Sequence, residues 1–189
     1  LLSQAYRQSA VVRPDHLQKD PLNVLFARAS GARLDAETIR DNGLAVSSLL
    51  SLKMGGPPVK PVQPPNIWRV TGTVDNKDVA AEGDDGHRRG IYTLWRRHAH
   101  YPSFANFDAP NRSACTVQRS RSDTPLQALT LMNDPAYVEM ARALADRLNK
   151  PATYDLRAKM IQAFRTVLTR KPTDAEVASL VKVYEEERE

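Results

Sequence analysis

The sequence predicts a mainly α fold: a helical bundle with a small β element and a long irregular proline-rich connection. Three observations lead to this prediction. Residues 123–189 repeat apolar side chains at helical spacing behind recognisable N-terminal caps. Residues 55–65 hold two glycines and five of the chain's 13 prolines. Residues 91–95 read IYTLW, a β-branched and aromatic run that favours a strand.

The first long helix is predicted to begin at Asp35. An aspartate suits the N-cap, and Leu34 before it can pack on Ile39 as a hydrophobic staple. Apolar residues then recur up to Leu52, and the glycine pair after it predicts the end of the helix. Upstream, Asp20 and the proline that follows predict another helix or turn start.

The proline-rich residues 55–65 predict an extended connection, because each proline lacks a backbone donor and disfavours both helix and central strand. Two interpretations stay open for this segment: a rigid strap across the surface, or a ligand for an aromatic groove. Residues 71–86 are polar and contain glycine, which predicts a surface loop.

The C-terminal third predicts a helical hairpin or small bundle. Thr124, a proline after it and Gln127 form a capping-box pattern, and Thr173 with Glu176 forms a second one. Asp134, followed by proline, restarts a helix between them. We therefore expect a single domain over residues 1–189, with an irregular and partly helical part, including the β element, in 1–122 and a helical part in 123–189.

Composition excludes several classes of protein. The chain has 189 residues, of which 41% are hydrophobic and 26% charged, as in ordinary globular proteins. The longest stretch without a charged residue, 42–52, is too short for a membrane-spanning helix. The single cysteine, Cys115, excludes an internal disulfide and a multi-cysteine zinc site. The sequence has no GxSxG, GxGxxG, HExxH or phosphate-loop motif that would name a reaction.

The positive charge is concentrated in residues 87–121, which we call the arginine segment. The whole chain carries +5, whereas this segment has seven arginines against one acid, Asp108. Arginine binds carboxylate, sulfate or phosphate through two parallel hydrogen bonds, and it also forms interior ion pairs. The segment is therefore the main candidate for a binding site.

Several long strings of the sequence resemble one family. They are residues 6–9 (YRQS), 33–41 (RLDAETIRD), 53–65 (KMGGPPVKPVQPP), 88–97 (RRGIYTLWRR), 107–139 (FDAPNRSACTVQRSRSDTPLQALTLMNDPAYVE) and 168–176 (LTRKPTDAE). Together they resemble the planctomycete-type secreted domain family, a domain of unknown function (DUF1553). The chain departs from the family pattern at Gly90, where serine is usual, at His98, where a threonine-like residue is common, and at Ser122-Asp123 in place of Thr-Asn.

The resemblance implies a C-terminal portion of a larger exported protein, placed in the periplasm or outside the cell. It implies upstream domains of the same polypeptide as partners, often including a cytochrome c domain, and an association with polysaccharide breakdown. It supplies no demonstrated activity and no cofactor.

The arginine segment predicts an anion site, with two aromatic residues able to stack on a sugar ring. Its members are Arg88, Arg89, Arg96, Arg97, Arg119, Arg121, Tyr92 and Trp95. The alternative is that the arginines pair with carboxylates of the chain itself, namely Asp35, Glu37, Asp41 and Asp123. Nucleic acid is not an expected partner, because no helix-turn-helix, RRM-like or zinc-finger pattern is present.

Three further candidates each have a simpler structural explanation. Glu37 and Asp41 lie four residues apart and could form an acid–base pair, but acids near a helix start also favour the helix dipole. His98 and His100 could ligate zinc, but a third ligand is missing, so no metal is predicted. Cys115 could be a nucleophile among arginines, but a lone cysteine is more often a small buried hydrophobe.

We therefore expect a non-catalytic interdomain scaffold or a contact for anionic glycan. The alternative is a polysaccharide-active enzyme domain, coupled to an upstream cytochrome c domain.

Overall fold

The computed structural model describes residues 3–29, 31, 33–65, 80–96, 99–150 and 155–188. The chain forms two compact units, Leu1–Leu34 and Asp35–Glu189. The mainly α fold is confirmed, because the regular structure of the described residues is helical apart from isolated β-bridges.

The first unit contains one short helix, α1 (Pro14–Lys19), which the sequence analysis missed. The predicted start at Asp20 is a turn that follows this helix. The Asp20 carboxylate accepts hydrogen bonds from the backbone amides of Val24 (2.8 Å) and Leu25 (2.7 Å). The Leu25 amide bond is the main cause of a lowered pKa for Asp20.

The second unit begins with α2 (Ala36–Ser47), whose N-cap is Asp35 as predicted. The helix ends earlier than Leu52, because Ser48 adopts a left-handed conformation (φ 65°) and its amide turns back to the carbonyls of Leu44 and Ala45. The serine therefore terminates the helix before the glycine pair is reached.

The predicted strand over residues 91–95 is wrong. Gly90–Tyr92 forms a 3₁₀ turn, and the described residues after it make only isolated bridges. The Val59 amide donates to the Tyr92 carbonyl (2.8 Å), and the Leu94 amide donates to the Val59 carbonyl (2.7 Å). The proline-rich connection contains no helix, as predicted, and Val59 ties it to the residues of the 3₁₀ turn.

The described residues of the second unit form six further helices. Their bounds are α3 (Gly83–Gly86), α4 (Pro102–Asn106), α5 (Pro125–Asn133), α6 (Pro135–Asn149), α7 (Leu156–Leu168) and α8 (Asp174–Glu186). The starts predicted at Thr124, Asp134 and Thr173 are confirmed. The capping box at Thr124 is not formed, because the Gln127 side chain is buried and donates to the Asn106 carbonyl instead (2.9 Å).

The core of this unit lies where α2, α4 and α6 meet. Leu44, Phe104 and Met140 are each at most 5% exposed, and Tyr101 and Tyr137 pack with them. The helices α7 and α8 pack on each other at the side of this core, and α7 has no buried residue. Within the described part of the chain, no helix combines the length and the apolar character needed to cross a membrane.

Candidate functional site

Arg88 is the most deeply buried residue of the predicted anion site, with 1% of its surface exposed. Its guanidinium donates to the backbone carbonyls of Gly55 and Pro57 (2.9 Å to Pro57) and lies near that of Lys53 at 3.5 Å. These acceptors belong to the start of the proline-rich connection. Arg88 therefore anchors that connection and is not presented to solvent.

Tyr92 completes the same anchor. The Arg88 guanidinium carbon lies 3.8 Å from the centroid of the Tyr92 ring, a cation–π contact. The Tyr92 hydroxyl in turn accepts a hydrogen bond from the Gly55 amide (2.9 Å). One face of the ring is therefore occupied by the chain's own arginine.

Arg89 and the glycine after it are bound by one carboxylate of α2. Arg89 Nε donates to Asp41 (3.0 Å), and the Gly90 amide donates to the other oxygen of Asp41 (2.5 Å). A side chain at Gly90 would place its Cβ 2.9 Å from the backbone of Glu37. The 3₁₀ turn thus approaches α2 so closely that a side chain at Gly90 would require the two backbones to move apart.

Arg119 forms a two-point ion pair with Glu37. Its Nη1 and Nη2 donate to the two carboxylate oxygens at 2.7 and 3.3 Å, and Asp35 lies 3.8 Å away. Partial burial alone would raise the pKa of Glu37, but the bonds from Arg119 and the helix backbone lower it overall. The internal pairing that the sequence left open is therefore present at Arg89 and Arg119.

The remaining members of the predicted site lie in different surroundings. Trp95 is half-buried, with the Arg112 guanidinium 4.3 Å from its ring centroid and His100 stacked at 5.2 Å. Arg121 is exposed, and no hydrogen bond or ion pair joins it to another described residue. Arg96 is half-buried. Arg97 lies outside the described residues.

The other candidate residues are a possible metal pair, His98 and His100, and the lone Cys115. Among the described residues, no group of three or more His, Cys, Asp or Glu side chains could hold a metal ion. His98 of the HxH pair lies outside the described residues. Cys115 is exposed, so its interpretation as a small buried hydrophobe is wrong.

A family model, PSD1, described as a protein of unknown function (DUF1553), matches residues 1–184. The chain belongs to the PSD1 family. The comparisons with curated proteins and with solved structures gave no match.

In this PSD1 chain the two acids considered as an acid–base pair form ion pairs with arginines. Glu37 is held by Arg119 and Asp41 by Arg89. Neither acid lines the pocket between α2 and α6 or the groove between α7 and α8. The arrangement is suited to holding the irregular arginine segment against α2.

The sequence analysis missed Arg40, which is 3% exposed and lines the pocket between α2 and α6. A signal for it was present in the sequence. Arg40 lies four residues after Ala36 and four before Leu44, so an arginine occupies the buried face of α2. A charged residue at a position that the helical period assigns to the core is a candidate for a functional or structural role.

Proposed function

We propose that this PSD1 chain is a non-catalytic scaffold domain of an exported multidomain protein. The observation that carries the proposal is that the arginine segment is engaged by the chain's own groups. Arg88 binds backbone carbonyls, Arg89 binds Asp41, and Arg119 binds Glu37. Pairing of these three arginines with groups of the same chain supports a structural role in preference to capture of a ligand.

The partners in this proposal are the upstream domains of the same polypeptide. Leu126, Leu129 and Met132 of α5 are 53%, 54% and 72% exposed. Since they are spaced three residues apart, they share one side of the helix. Contiguous exposed apolar surface marks interaction sites. We infer that a neighbouring domain covers this side of α5.

Contact with an anionic polysaccharide is a second candidate, favoured by the arginines that remain accessible. Arg121 is exposed, and the side chains of Arg89 and Arg119 are 56% and 36% exposed despite their ion pairs. Sulfate or carboxylate groups of a glycan would accept charge-assisted hydrogen bonds from them, with Trp95 stacking on a sugar ring.

The alternative, a polysaccharide-active enzyme coupled to an upstream cytochrome c domain, would be favoured by a pocket that holds Asp35, Glu37 or Asp41, and Glu37 and Asp41 are its candidate acid–base pair. Both carboxylates accept hydrogen bonds from arginines in the fold. A general acid or base must reach the proton that it transfers. The ion pairs therefore favour the scaffold over the enzyme.

Thermal melting separates the scaffold from the glycan contact. The chain is melted with sulfated, carboxylated and neutral glycans and with an oligonucleotide, at low and high salt. A ligand present at 100 times its dissociation constant adds about 2.7 kcal/mol, a shift of roughly 5–10 °C for a chain of this size. The scaffold predicts no such shift. A shift confined to one anionic glycan and retained at high salt would favour the glycan contact instead.

A positive test uses a longer polypeptide that adds the region upstream of this chain. Hydrogen exchange of α5 is compared between the chain alone and the longer polypeptide. The scaffold predicts slower exchange of α5 in the longer polypeptide, and reversal of that protection by Leu129→Lys. The control is Ala128→Lys, which introduces the same charge at the neighbouring exposed position of α5. Equal exchange of α5 in both polypeptides would contradict the proposed partner.

A further inference from the structure

A pocket of about 360 Å³ lies between α2 and α6 and extends to the loop that leads into α3. Its volume is in the range of pockets that bind small molecules. Leu44, Ala136 and Met140 supply an apolar wall, and the backbones of Gly83 and Gly86 border another side. The pocket is separate from the ion pairs of the arginine segment described above.

Arg40 lies in the wall of this pocket and is the reason to expect a ligand. It is 3% exposed, and its guanidinium donates from Nη2 to one backbone carbonyl, that of Gly86 (2.7 Å), and interacts with the Tyr101 hydroxyl. Its Nε has no partner among the described residues. A guanidinium carries five N–H donors, and a buried charge with few partners is energetically costly.

Asp134 does not supply the missing hydrogen-bond partner of Arg40. Asp134 is 6% exposed and attracts Arg40, but within the described part of the chain no ion pair of 4 Å or less joins them. Its carboxylate accepts the Ala136 amide (2.9 Å) and so caps α6. Burial raises the pKa of Asp134 and thereby disfavours its charged form. Arg40 therefore retains a positive charge with few partners at the pocket wall.

The ring of Tyr101 offers Arg40 a second, weaker contact. The guanidinium carbon lies 5.9 Å from the ring centroid, at the outer limit of a cation–π interaction. The Tyr101 hydroxyl donates to the Val62 carbonyl (2.9 Å) and can still accept from Arg40 through its oxygen. The buried Nε of Arg40 remains without an acceptor among the described residues.

The other charged residues of the pocket restrict the charge of the ligand. His87 Nε2 and Glu139 lie 2.8 Å apart, with 20% and 47% of their side chains exposed. Glu82 also lines the pocket and is exposed. Two carboxylates beside one arginine disfavour a doubly charged anion such as phosphate, because like charges repel. A planar anion with a single charge matches the guanidinium best.

We propose that this pocket binds a small organic acid with one carboxylate and a compact apolar body. The carboxylate accepts hydrogen bonds from Arg40. The apolar body packs on Leu44, Ala136 and Met140.

The test compares benzoate with benzamide, a neutral ligand of nearly the same shape. Each is titrated into the chain, and backbone amide shifts are followed by NMR. We expect benzoate to shift the amides of Gly86 and His87 and to bind about tenfold more tightly than benzamide, since charge-assisted hydrogen bonds are the stronger ones. Equal affinities, shifts elsewhere in the chain, or no binding of benzoate would each overturn the proposal.

Two variants separate the pocket from general charge effects. Arg40→Met should abolish the preference for benzoate.

Because Arg40 is buried and its loss also disturbs folding, Glu139→Gln provides an independent test at a residue that is half-exposed. This substitution removes one negative charge beside the carboxylate of bound benzoate. It should strengthen the binding of benzoate several-fold and leave the affinity for benzamide unchanged. Glu185→Gln on α8 makes the same chemical change outside the pocket. Equal effects of Glu139→Gln and Glu185→Gln would overturn the proposal.

Discussion

Single buried arginines determine how the loops of this chain are held. Arg88 and Arg40 are both at most 3% exposed, but their partners differ. Arg88 donates to carbonyls at the start of the proline-rich connection and lies on the Tyr92 ring, whereas Arg40 has one carbonyl. A guanidinium can be buried without a carboxylate when several carbonyl oxygens receive its donors. Arg88 is therefore a structural residue, and Arg40 is the candidate for binding.

The role of Arg88 predicts a loss of stability when it is replaced. Arg88→Met removes the guanidinium and leaves the Gly55 and Pro57 carbonyls without their donor. We expect the free energy of unfolding to fall by about 2–4 kcal/mol, measured by urea denaturation.

Arg121→Met is the matched control, because it makes the same change at an exposed arginine of the same segment. It should alter stability by about 0.5 kcal/mol or less. Equal losses in the two variants would show that Arg88 acts through net charge and not through its contacts.

The helix caps show how an element is encoded locally and then modified by its surroundings. Thr124 with Gln127 and Thr173 with Glu176 have the same spacing, but only the second pair forms a capping box. Gln127 is 2% exposed and its amide group is used in the interior. Glu176 lies in the first turn of α8, where its carboxylate accepts from Arg170 and from the Thr173 amide.

The capping box of α8 predicts a pH-dependent stability. Hydrogen bonds from Arg170 (2.6 Å) and from the Thr173 amide (2.7 Å) lower the pKa of Glu176 from 4.5 to about 2. Because the folded pKa is below the unfolded one, the stabilisation is fully present above pH 4.5 and is lost as the pH falls towards 2. NMR titration of the Glu176 carboxylate measures this directly.

Glu176→Gln should flatten the fall in melting temperature over that pH interval. Glu185→Gln, a change of the same kind on α8 outside the cap, should leave the pH dependence as it is. A carboxylate of Glu176 that titrates near 4.5 would contradict the expected shift.

At the scale of the whole molecule, burial is unevenly distributed in the second unit. The core lies between α2, α4 and α6, with Phe104 and Leu44 each 1% exposed. By contrast α7 has no buried residue, and Val177 is the buried residue of α8. Helices with few buried apolar contacts open at lower free energy than the core.

Hydrogen exchange should therefore be graded along the second unit. We expect the slowest amide exchange in α2 and in the first half of α6, and faster exchange in α7. Exchange followed by mass spectrometry, with rates corrected for sequence, measures this order. Protection of α7 equal to that of α2 would contradict the prediction.

The sequence was sufficient for features that depend on local chemistry. The starts of α2, α5, α6 and α8, the helix-free proline-rich connection and the mainly α class all follow from caps, proline geometry and periodicity. Each of these signals acts within a few residues, so no knowledge of the fold is needed to interpret them. The prediction of one domain over residues 1–189 stays a prediction.

Only the tertiary structure decided which residues meet across long separations in sequence. Arg119 and Glu37 are 82 residues apart, and Arg89 and Asp41 are 48 apart. Residues 91–95 have the composition of a strand, but Gly90 must approach α2 closely, and a 3₁₀ turn results. Composition alone cannot distinguish a buried arginine from an exposed one, because the identity of its partner is set by packing. The physical reason is that ion pairs and buried hydrogen bonds depend on position in space, whereas caps and turns depend on neighbours along the chain.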